Sequence, residues 1–455
     1  MTRVGAFRRI AAVTATVCMA VPAAAFGAEA HLETAPDGSQ VVVFTAAPGE
    51  VNSVLVDRDP GFTGDEYQLE DQNNNVQPGS GCRNVQTLPF GGPDPSIVRC
   101  GSAAASLRVA LGDGGDTVRF GKLNGNTPVD VVDGGPGDDS LDTGNGDSIV
   151  AGGDGVDTID ANAGDDEVSG GGRNDSIVGG PGSDTIAGDD GNDTIRGHAT
   201  PDTQEIGVVT DFRAGDVNKL SGGAGNDKIT GDNGTDELTG DAGNDDLNGA
   251  GAADLIDGGA GNDTMNEGDT PGNPNGGQPG GPLAPDTVRG GSGKDTATYC
   301  TRYYSGSEGR KHPLTISLDK KGNDGEKGEK DNIGPDGSVE NVIGGGSSGD
   351  KITGNAGANV LSGDCVIAVG ASGNNKIYGG AGADKLVGGD ANDLLDGGKG
   401  ADQFLGNEGA DSIRAKDGAK DKSINCDGLG VKSDKDSAVV DRSDPRAANC
   451  DKTRR

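Results

Sequence analysis

Apolar, acidic and glycine residues recur along most of the chain in a nine-residue pattern. Five consecutive repeats begin at 152, five at 222 and four at 379, and they follow the order GGxGxDxUx, where U is apolar. Glycines at the first, second and fourth positions allow a tight turn, and the last three residues suit a short strand with its middle side chain on one face. The pattern predicts repeated turn–strand modules and not a disordered glycine-rich linker.

The spacing of the repeats also predicts how they stack. One short strand buries almost nothing, whereas stacked coils bring the apolar eighth residues into a continuous thin core. Since successive repeats fall on opposite sides of a coil, repeat n should lie above repeat n+2, with Asp157 over Asp175 and Asp166 over Asp184. The predicted fold class is all-β, a parallel β-roll (β-solenoid) of nonapeptide repeats with small β caps at both ends.

The sixth position is acidic in every repeat of the three arrays and in isolated repeats that flank them. Superposed carboxylates repel one another unless a cation lies between them. Carboxylate and carbonyl oxygens without Cys or His are hard ligands that suit Ca²⁺, whereas Mg²⁺ demands a tight octahedron. Counting stacked pairs gives about eight interior sites in the arrays. The predicted carboxylate ligands are Asp139, Asp157, Asp166, Asp175, Asp184, Asp193, Asp227, Asp236, Asp245, Asp254, Asp263, Asp295, Asp350, Asp384, Asp393, Asp402 and Asp411.

These repeats resemble the RTX, or haemolysin-type, calcium-binding nonapeptide family, whose repeats form a parallel β-roll. The resemblance covers roughly residues 111–414. It implies Ca²⁺ as the cofactor, held by the sixth-position carboxylates and by turn carbonyls of glycines such as Gly223, Gly225, Gly380 and Gly382.

Several repeats depart from the family pattern. Arg173, Ala252 and Asn392 lie in turns without the usual glycines, and Asn359 and Asn375 replace the aspartate. We expect these repeats to bind the ion weakly or to serve as spacers. A cleavable N-terminal signal, predicted below, also differs from the uncleaved C-terminal signal of RTX exoproteins.

Composition restricts the partners. Lys and Arg number 38 against 73 Asp and Glu, which gives a net charge of −35 and a surface that repels nucleic acid. Aromatic residues make up 3% of the chain and Trp is absent, so a large aromatic core is excluded. Low hydrophobicity with high charge is typical of disorder unless a bound cation or a stacked repeat compensates. We therefore expect multiple calcium ions as partners and no nucleic acid.

The N-terminus predicts export. Arg3, Arg8 and Arg9 precede an apolar run over 10–21, and small residues follow it. This order is typical of a secretory signal peptide, assigned here to residues 1–28. The run is shorter than the roughly 20 residues that span a bilayer, and no other apolar segment is longer, so no membrane span is expected. The predicted location is secreted or extracellular, with cell-surface association left open.

Six cysteines remain after export, an even number that suggests disulfides in an exported chain. Fifteen pairings are formally possible. Local sequence favours Cys82–Cys100 and Cys426–Cys450, because each pair closes a short loop near one end. Cys300–Cys365 follows by elimination.

The segments outside the arrays complete the predicted organisation. Residues 29–110 lack the repeat and are predicted to form an N-terminal β cap, with a separate ligand-binding β module as the alternative. The carboxylates Asp319, Asp324, Glu326, Glu329 and Asp331 could offer another Ca²⁺ site, but a solvated loop is favoured because the EF-hand spacing is not met. The full division is 1–28 signal peptide, 29–110 cap, 111–196 first array, 197–220 inserted loop, 221–298 second array, 299–341 inserted strand and charged loop, 342–414 third array and 415–455 disulfide-pinned cap.

Sequence features favour a binding protein over an enzyme. His31, His198 and His312 lie far apart, and no HExxH motif occurs. The GxSxG match at 345–349 is the turn of a repeat and lacks a strand–turn–helix context. We therefore expect a secreted calcium-binding protein without enzymatic activity, in which Ca²⁺ drives folding. The alternatives are an adhesion or matrix protein with an unidentified surface polymer or protein partner, and a secreted hydrolase or toxin accessory with an RTX roll.

Overall fold

The computed structural model describes most of the chain after the N-terminal segment, and it divides into two units, Met1–Ile229 and Thr230–Arg455. The described residues are 28–36, 39–58, 67–86, 93–100, 106–120, 130–198, 217–232, 234–268, 284–300, 312–327, 329–345, 349–365, 373–427 and 435–455. Almost all of the predicted signal peptide and most of the loop predicted at 197–220 lie outside them. Within these ranges the secondary structure is strand and turn, and no helix long and apolar enough to cross a membrane is found there.

The first unit is built from short strands joined by glycine-rich turns. Its strands are β1 (Ala28–Thr34), β2 (Gln40–Thr45), β3 (Ser53–Arg58), β4 (Tyr67–Asp71), β5 (Val76–Pro78), β6 (Cys82–Gln86), β7 (Pro93–Cys100), β8 (Ser106–Ala110), β9 (Thr117–Phe120), β10 (Asp130–Pro136), β11 (Ser140–Asp142), β12 (Ser148–Asp154), β13 (Thr158–Asp160), β14 (Glu167–Gly172), β15 (Ser176–Val178), β16 (Thr185–Asp190), β17 (Thr194–Arg196), β18 (Lys219–Ala224) and β19 (Lys228–Thr230), which ends at the unit boundary.

Two parallel sheets carry the repeats of the first unit. One contains β8, β10, β12, β14, β16 and β18 in that order, and the other contains β9, β11, β13, β15 and β17. Ile159 pairs with Ile177 and Val168 with Ile186, so strands of repeat n and repeat n+2 are neighbours. These apolar side chains are buried and form the thin core between the sheets. The predicted parallel β-roll is therefore confirmed.

The N-terminal segment joins the same two sheets. Strand β2 pairs in parallel with β8 and antiparallel with β1, while β3 pairs in parallel with β9 and antiparallel with β4. Strands β4 and β6 both pair antiparallel with β7, and the Cys82–Cys100 disulfide joins β6 to β7. Antiparallel hairpins thus flank the parallel coils of the first unit.

The second unit continues the short-strand pattern within its own residues. Its strands are β20 (Glu237–Ala242), β21 (Asp246–Asn248), β22 (Leu255–Asp257), β23 (Ala260–Gly261), β24 (Thr264–Asn266), β25 (Thr287–Arg289), β26 (Ser292–Gly293), β27 (Asp295–Thr298), β28 (Thr315–Ser317), β29 (Asn332–Ile333), β30 (Val339–Ile343), β31 (Lys351–Thr353), β32 (Val360–Ser362), β33 (Lys376–Ala381), β34 (Lys385–Gly389), β35 (Leu394–Lys399), β36 (Gln403–Asn407), β37 (Ser412–Ala415), β38 (Ser423–Asp427), β39 (Ser437–Val440) and β40 (Lys452–Arg454).

Parallel pairing also organises the second unit. The three parallel runs are β20–β22–β25–β29, β21–β24–β27–β30–β32–β34–β36–β38 and β28–β31–β33–β35–β37–β39–β40. Leu386 pairs with Phe404, and Leu395 pairs with Ile413, with all four side chains buried. The core is again one row of eighth-position side chains for each sheet.

The C-terminal segment extends the roll. Strand β38 pairs in parallel with β36, and β39 pairs in parallel with β37, with Ile413 opposite Ala438. The residues predicted as a separate cap at 415–455 thus include further coils. Disulfides join Cys300 to Cys365 and Cys426 to Cys450, so all three predicted pairings are present in the structure.

Candidate metal centre

The sixth-position carboxylates form ladders along the roll, with one rung for each coil. In the first unit Oδ1 of Asp175 accepts the backbone N–H of Asp157 at 2.8 Å, and Oδ1 of Asp184 accepts that of Asp166 at 3.0 Å. Both stacked pairs predicted from the repeat spacing are therefore present. The same bond, from the backbone N–H of the first residue to Oδ1 of the second, recurs in four further pairs: Asp116 and Asp139, Asp139 and Asp157, Asp175 and Asp193, and Asp193 and Asp227.

The second unit contains ladders of the same construction. The Asp384 N–H donates to Oδ1 of Asp402 at 2.8 Å, and the Asp393 N–H donates to Oδ1 of Asp411 at 2.8 Å. After Asp295 the acceptor is a glutamate oxygen, from Glu340. The bond recurs for Asp236 to Asp254, Asp245 to Asp263, Asp254 to Asp286, Asp263 to Asp295 and Asp350 to Asn375. Every aspartate predicted as a ligand lies in one of these ladders.

The second carboxylate oxygen of many rungs is buried and lacks a hydrogen-bond partner among the described residues. Burying a charged oxygen without a hydrogen-bond partner costs on the order of several kcal/mol. Each such rung therefore requires a proton or a cation. These oxygens are Oδ2 of Asp116, Asp139, Asp157, Asp166, Asp175, Asp193, Asp263, Asp295, Asp384, Asp393 and Asp421.

In most repeats the first-position glycine leaves open the space beside this oxygen. A Cβ atom on Gly170 would lie 2.5 Å from Oδ2 of Asp175 and 2.8 Å from the carbonyl oxygen of Gly188, one coil away. A Cβ atom on Gly379 would meet Oδ2 of Asp384 and the Gly397 carbonyl, each at 2.5 Å. At these glycines a carboxylate oxygen and a carbonyl oxygen thus converge on the space that a Cβ atom would enter. Ala161 and Leu111 occupy the first position in the repeats of Asp166 and Asp116.

Burial makes these carboxylates reluctant to carry charge in the absence of a cation. Desolvation is the main cause that raises the pKa of Asp166 to about 8, and the Asp184 charge adds to it. Desolvation likewise raises the pKa of Asp393 to about 8 despite the Asn375 N–H, with a further contribution from Asp411. The ladders therefore concentrate negative charge in a poorly solvated place.

The second- and fourth-position glycines allow close contact between coils, and the role of their carbonyls as calcium ligands stays a prediction. Gly223 and Gly225 have φ values of +103° and +148°, and Gly380 and Gly382 have +104° and +127°. A Cβ on Gly225 would collide with the backbone carbonyl of the preceding coil in the first unit. These positions thus allow the coils to approach closely. The carbonyls that converge on Oδ2 belong to first-position residues, which the sequence reasoning did not single out.

The chemistry of the donor set fits calcium. Buried Oδ2 atoms and first-position carbonyls are oxygen donors, and no Cys or His occupies a rung among the described residues. Ca²⁺ accepts six to eight oxygens in irregular geometry, whereas soft metals favour thiolate or imidazole. The groups that would hold the ion include the carboxylates of the sixth-position aspartates and the first-position carbonyls of the next coil.

The departures from the repeat pattern preserve the local backbone. Arg173 and Ala252 have φ values of +82° and +76°, positive like those of fourth-position glycines but smaller than the +148° of Gly225 and the +127° of Gly382. Asn392 donates its N–H to Oδ1 of Asn374 and accepts the Ala410 N–H, in a line of fifth-position amides. Weak ion binding in these repeats stays a prediction.

The ladders extend beyond the predicted ligands. Asp116, Asp286, Asp331, Glu340 and Asp421 occupy rungs, although none lies in a complete repeat. The sequence does contain an indication of the Asp286 rung, because Asp286-Thr287-Val288 matches the sixth to eighth positions of a repeat. Asp421 lies in a coil of different length, where the nine-residue frame does not apply.

Four carboxylates of the charged segment between β28 and β30 are buried, while Asp319 and the lysines of the segment are exposed. The solvated loop expected from the sequence is therefore wrong for these four carboxylates. Asp324, Glu326, Glu329 and Asp331 are almost fully buried, and Asp324 accepts the backbone N–H groups of Ser317 and Ile333. These bonds fold the loop onto the end strands of two runs. Three buried carboxylates, each with an oxygen within 4.8 Å of the others, meet at Glu267, Glu329 and Asp331.

Comparison with known families agrees with this geometry. The RTX calcium-binding nonapeptide repeat matches seven segments of the chain: 133–168, 169–203, 214–247, 230–265, 340–364, 367–395 and 387–419. A search of the curated proteins finds no match.

Proposed function

The chain belongs to the family of RTX calcium-binding nonapeptide repeat proteins, and from this premise we propose that it is a secreted protein whose β-roll folds when calcium binds. The observation that carries the proposal is the unpaired, buried Oδ2 of successive rungs, as at Asp157 and Asp175. At Asp157 and Asp175 this oxygen lies near the first-position carbonyl of the next coil, and no cationic side chain bonds to it among the described residues. Bound calcium would supply the positive charge that these oxygens share.

Folding and ion binding are coupled in this proposal. Without a cation, the net charge of −35 and the buried carboxylates oppose the stacking of coils. The apolar core is only one eighth-position side chain deep on each strand, so it offsets little of that repulsion. Binding free energy then becomes folding free energy, as in other small metal-dependent domains.

Secretion places this coupling in a calcium-rich compartment. The N-terminal segment has the order of a signal peptide, and three disulfides suit an oxidising environment. Extracellular calcium modules bind with Kd values of roughly 10⁻⁴–10⁻³ M. Most calcium-dependent coils would therefore stay unstacked in a low-calcium cytosol and close after export.

We further propose that the protein acts by binding and not by catalysis. His31 and His312 each contact a glutamate, at 3.0 and 3.1 Å, and neither lies beside a Ser or Cys nucleophile in the recorded hydrogen bonds of the described residues. Apart from the group of Glu267, Glu329 and Asp331, the carboxylates described above as grouped together are ladder rungs. Their oxygens bond to backbone N–H groups of neighbouring coils, a structural arrangement and not that of an acid/base pair facing a cleft.

The test is a calcium titration of the full mature chain followed by circular dichroism, with magnesium as the matched control ion. We expect a cooperative gain of β signal with calcium and little change with magnesium at the same concentration. A protein stripped with EDTA that is already as ordered and compact as the calcium-loaded protein would overturn the proposal. Size-exclusion chromatography on the same samples measures compactness independently.

A further inference from the structure

Among the described residues asparagine occupies four rungs of the ladders, Asn52, Asn218, Asn359 and Asn375. In Asn52 and Asn375 the amide NH₂ group lies where an aspartate rung has its unpaired oxygen. In the second unit Asn375 lies between Asp350 and Asp393, and in the first unit Asn52 precedes Asp116. Both asparagines are almost fully buried. They keep the ladder bond to the next coil, since the Asn375 N–H donates to Oδ1 of Asp393 at 2.7 Å and the Asn52 N–H donates to Oδ1 of Asp116 at 2.5 Å.

The side chain of Asn375 shows how the amide fits. Its Oδ1 accepts the backbone N–H of Asp350 at 2.8 Å, so the NH₂ group must occupy the other branch. That Nδ2 donates to the carbonyl oxygen of Gly388 at 3.3 Å and to Oδ1 of Asp364 at 3.1 Å. Gly388 is the first residue of the repeat in the next coil. The amide therefore bonds to the carbonyl that an aspartate oxygen would face.

A neighbouring rung provides the direct comparison. A Cβ on Gly379 would meet Oδ2 of Asp384 and the Gly397 carbonyl, and a Cβ on Gly363 would meet Nδ2 of Asn375 and the Gly388 carbonyl. The two spaces are built alike. At Asp384 two oxygens converge and neither can donate, whereas at Asn375 a donor meets an acceptor.

Asn52 repeats this arrangement in the other unit. Its Nδ2 donates to the carbonyl oxygen of Leu111 at 3.1 Å, to Oδ1 of Asp116 at 3.2 Å and to the Glu50 carbonyl at 3.3 Å. Leu111 lies five residues before Asp116 and therefore occupies the first position of the same repeat. One amide thus donates toward three oxygens that surround it.

From these contacts we propose that Asn52 and Asn375 form metal-independent rungs, in which the side-chain NH₂ takes the place of a calcium ion. This inference rests on the proposed function, because it assumes that the aspartate rungs bind calcium. An asparagine rung is neutral and its polar atoms are satisfied, so it needs neither ion nor proton. Such rungs would keep part of each unit stacked before calcium binds, and calcium-dependent coils would extend from them.

The test is a pair of reciprocal substitutions in the full mature chain. In Asn375→Asp the donor becomes an acceptor opposite the Gly388 carbonyl. In EDTA we expect its unfolded-to-folded ratio to rise by roughly 5- to 30-fold, and in calcium we expect one additional ion by isothermal titration calorimetry. Asp384→Asn should do the opposite, with one ion fewer and greater stability in EDTA. If Asn375→Asp does not fold in EDTA, Asp384→Asn still decides the question.

Asn374→Asp is the matched control. Asn374 is exposed, precedes Asn375 in the same turn, and uses its Oδ1 as an acceptor, so the substitution adds the same charge but leaves the rung intact. The inference is overturned if Asn375→Asp behaves like Asn374→Asp, or if Asp384→Asn is no more stable than the unsubstituted chain in EDTA. The proposed function fails separately, if the unsubstituted chain binds no calcium.

Discussion

The backbone N–H of Asp157 donates to Oδ1 of Asp175 at 2.8 Å, while Oδ2 of Asp175 lies buried with no hydrogen-bond partner among the described residues. One carboxylate thus has two different oxygens. The first belongs to the backbone ladder that sets the register of the coils, and the second is available to a cation. Under the proposed function, the same residue would serve both folding and ion binding, and the two would therefore be coupled.

This division of roles predicts the effect of filling the space beside the second oxygen. Gly170→Ala would place a methyl group 2.5 Å from Oδ2 of Asp175, in a backbone conformation that alanine tolerates. We expect the loss of about one bound calcium ion and a higher calcium midpoint for folding. Calorimetry and circular dichroism during a calcium titration measure both quantities.

Gly172→Ala is the control, two residues away in the same turn. Its Cβ would meet only Oδ1 of the exposed Asp154, at 3.4 Å, and its φ is not positive. Calcium stoichiometry should be unchanged. Equal losses from the two alanines would mean that the space beside Asp175 is not where the ion binds.

The raised pKa values of the rungs predict opposite pH responses with and without calcium. Burial raises the pKa of Asp166 and Asp393 to about 8, well above the value of about 3.9 in an unfolded chain. The folded state then binds more protons than the unfolded state between these values, so the metal-free roll should lose stability as pH rises from about 4 to about 8. With calcium, only the deprotonated rungs bind the ion, so affinity should fall on acidification.

Thermal unfolding at pH 5 and pH 8.5, in EDTA and in saturating calcium, tests this prediction. The unfolding temperature should be higher at pH 5 in EDTA and higher at pH 8.5 in calcium. Asp166→Asn should flatten the pH response in EDTA, whereas Asp154→Asn, at an exposed site, should not. Parallel pH profiles in the two buffers would contradict the assignment of the rungs as calcium ligands.

The period of the sequence was sufficient to predict the roll and the ladders. A fixed spacing between Asp157, Asp166 and Asp175 specifies which carboxylates stack, because two repeats complete one coil. The apolar residue two positions later specifies which side chain enters the core. Both predictions depend on strict local regularity, and both are confirmed where the repeat is unbroken.

Rungs outside the unbroken repeats could not be predicted in the same way. Glu340 follows Asp295 in the ladder by 45 residues. The sequence predicted an insertion at 299–341, but only the folded chain reveals that Glu340 occupies the next rung. The mixed-charge loop with Asp324 was predicted to be solvated because its carboxylates do not follow the EF-hand spacing. Its burial depends on backbone N–H groups at Ser317 and Ile333, and hydropathy carries no information about such partners.

Burial of that loop predicts that Asp324→Ala destabilises the second unit. Asp324 accepts N–H groups at 2.6 and 3.1 Å, and removing a buried acceptor of this kind costs about 1–3 kcal/mol. Asp319→Ala is the control, because its carboxylate is partly exposed and contacts only Lys321 within the loop; the expected change is within about 0.5 kcal/mol. Urea unfolding in saturating calcium measures the difference, and equal effects would contradict a structural role for Asp324.

The left-handed backbone at Arg173 predicts that this turn stores strain. Its φ of +82° is unfavourable for a residue with a Cβ, by roughly 1–2 kcal/mol, and its side chain is exposed. Arg173→Gly removes the Cβ, and Arg173→Ala removes the charge but keeps the Cβ. Because glycine also gains entropy when unfolded, we expect Arg173→Gly to be more stable than Arg173→Ala by about 0.5–1 kcal/mol in urea unfolding with calcium. Both variants lose the positive charge, so the difference between their stabilities does not depend on it. Equal stabilities would show that the turn relaxes out of the left-handed region.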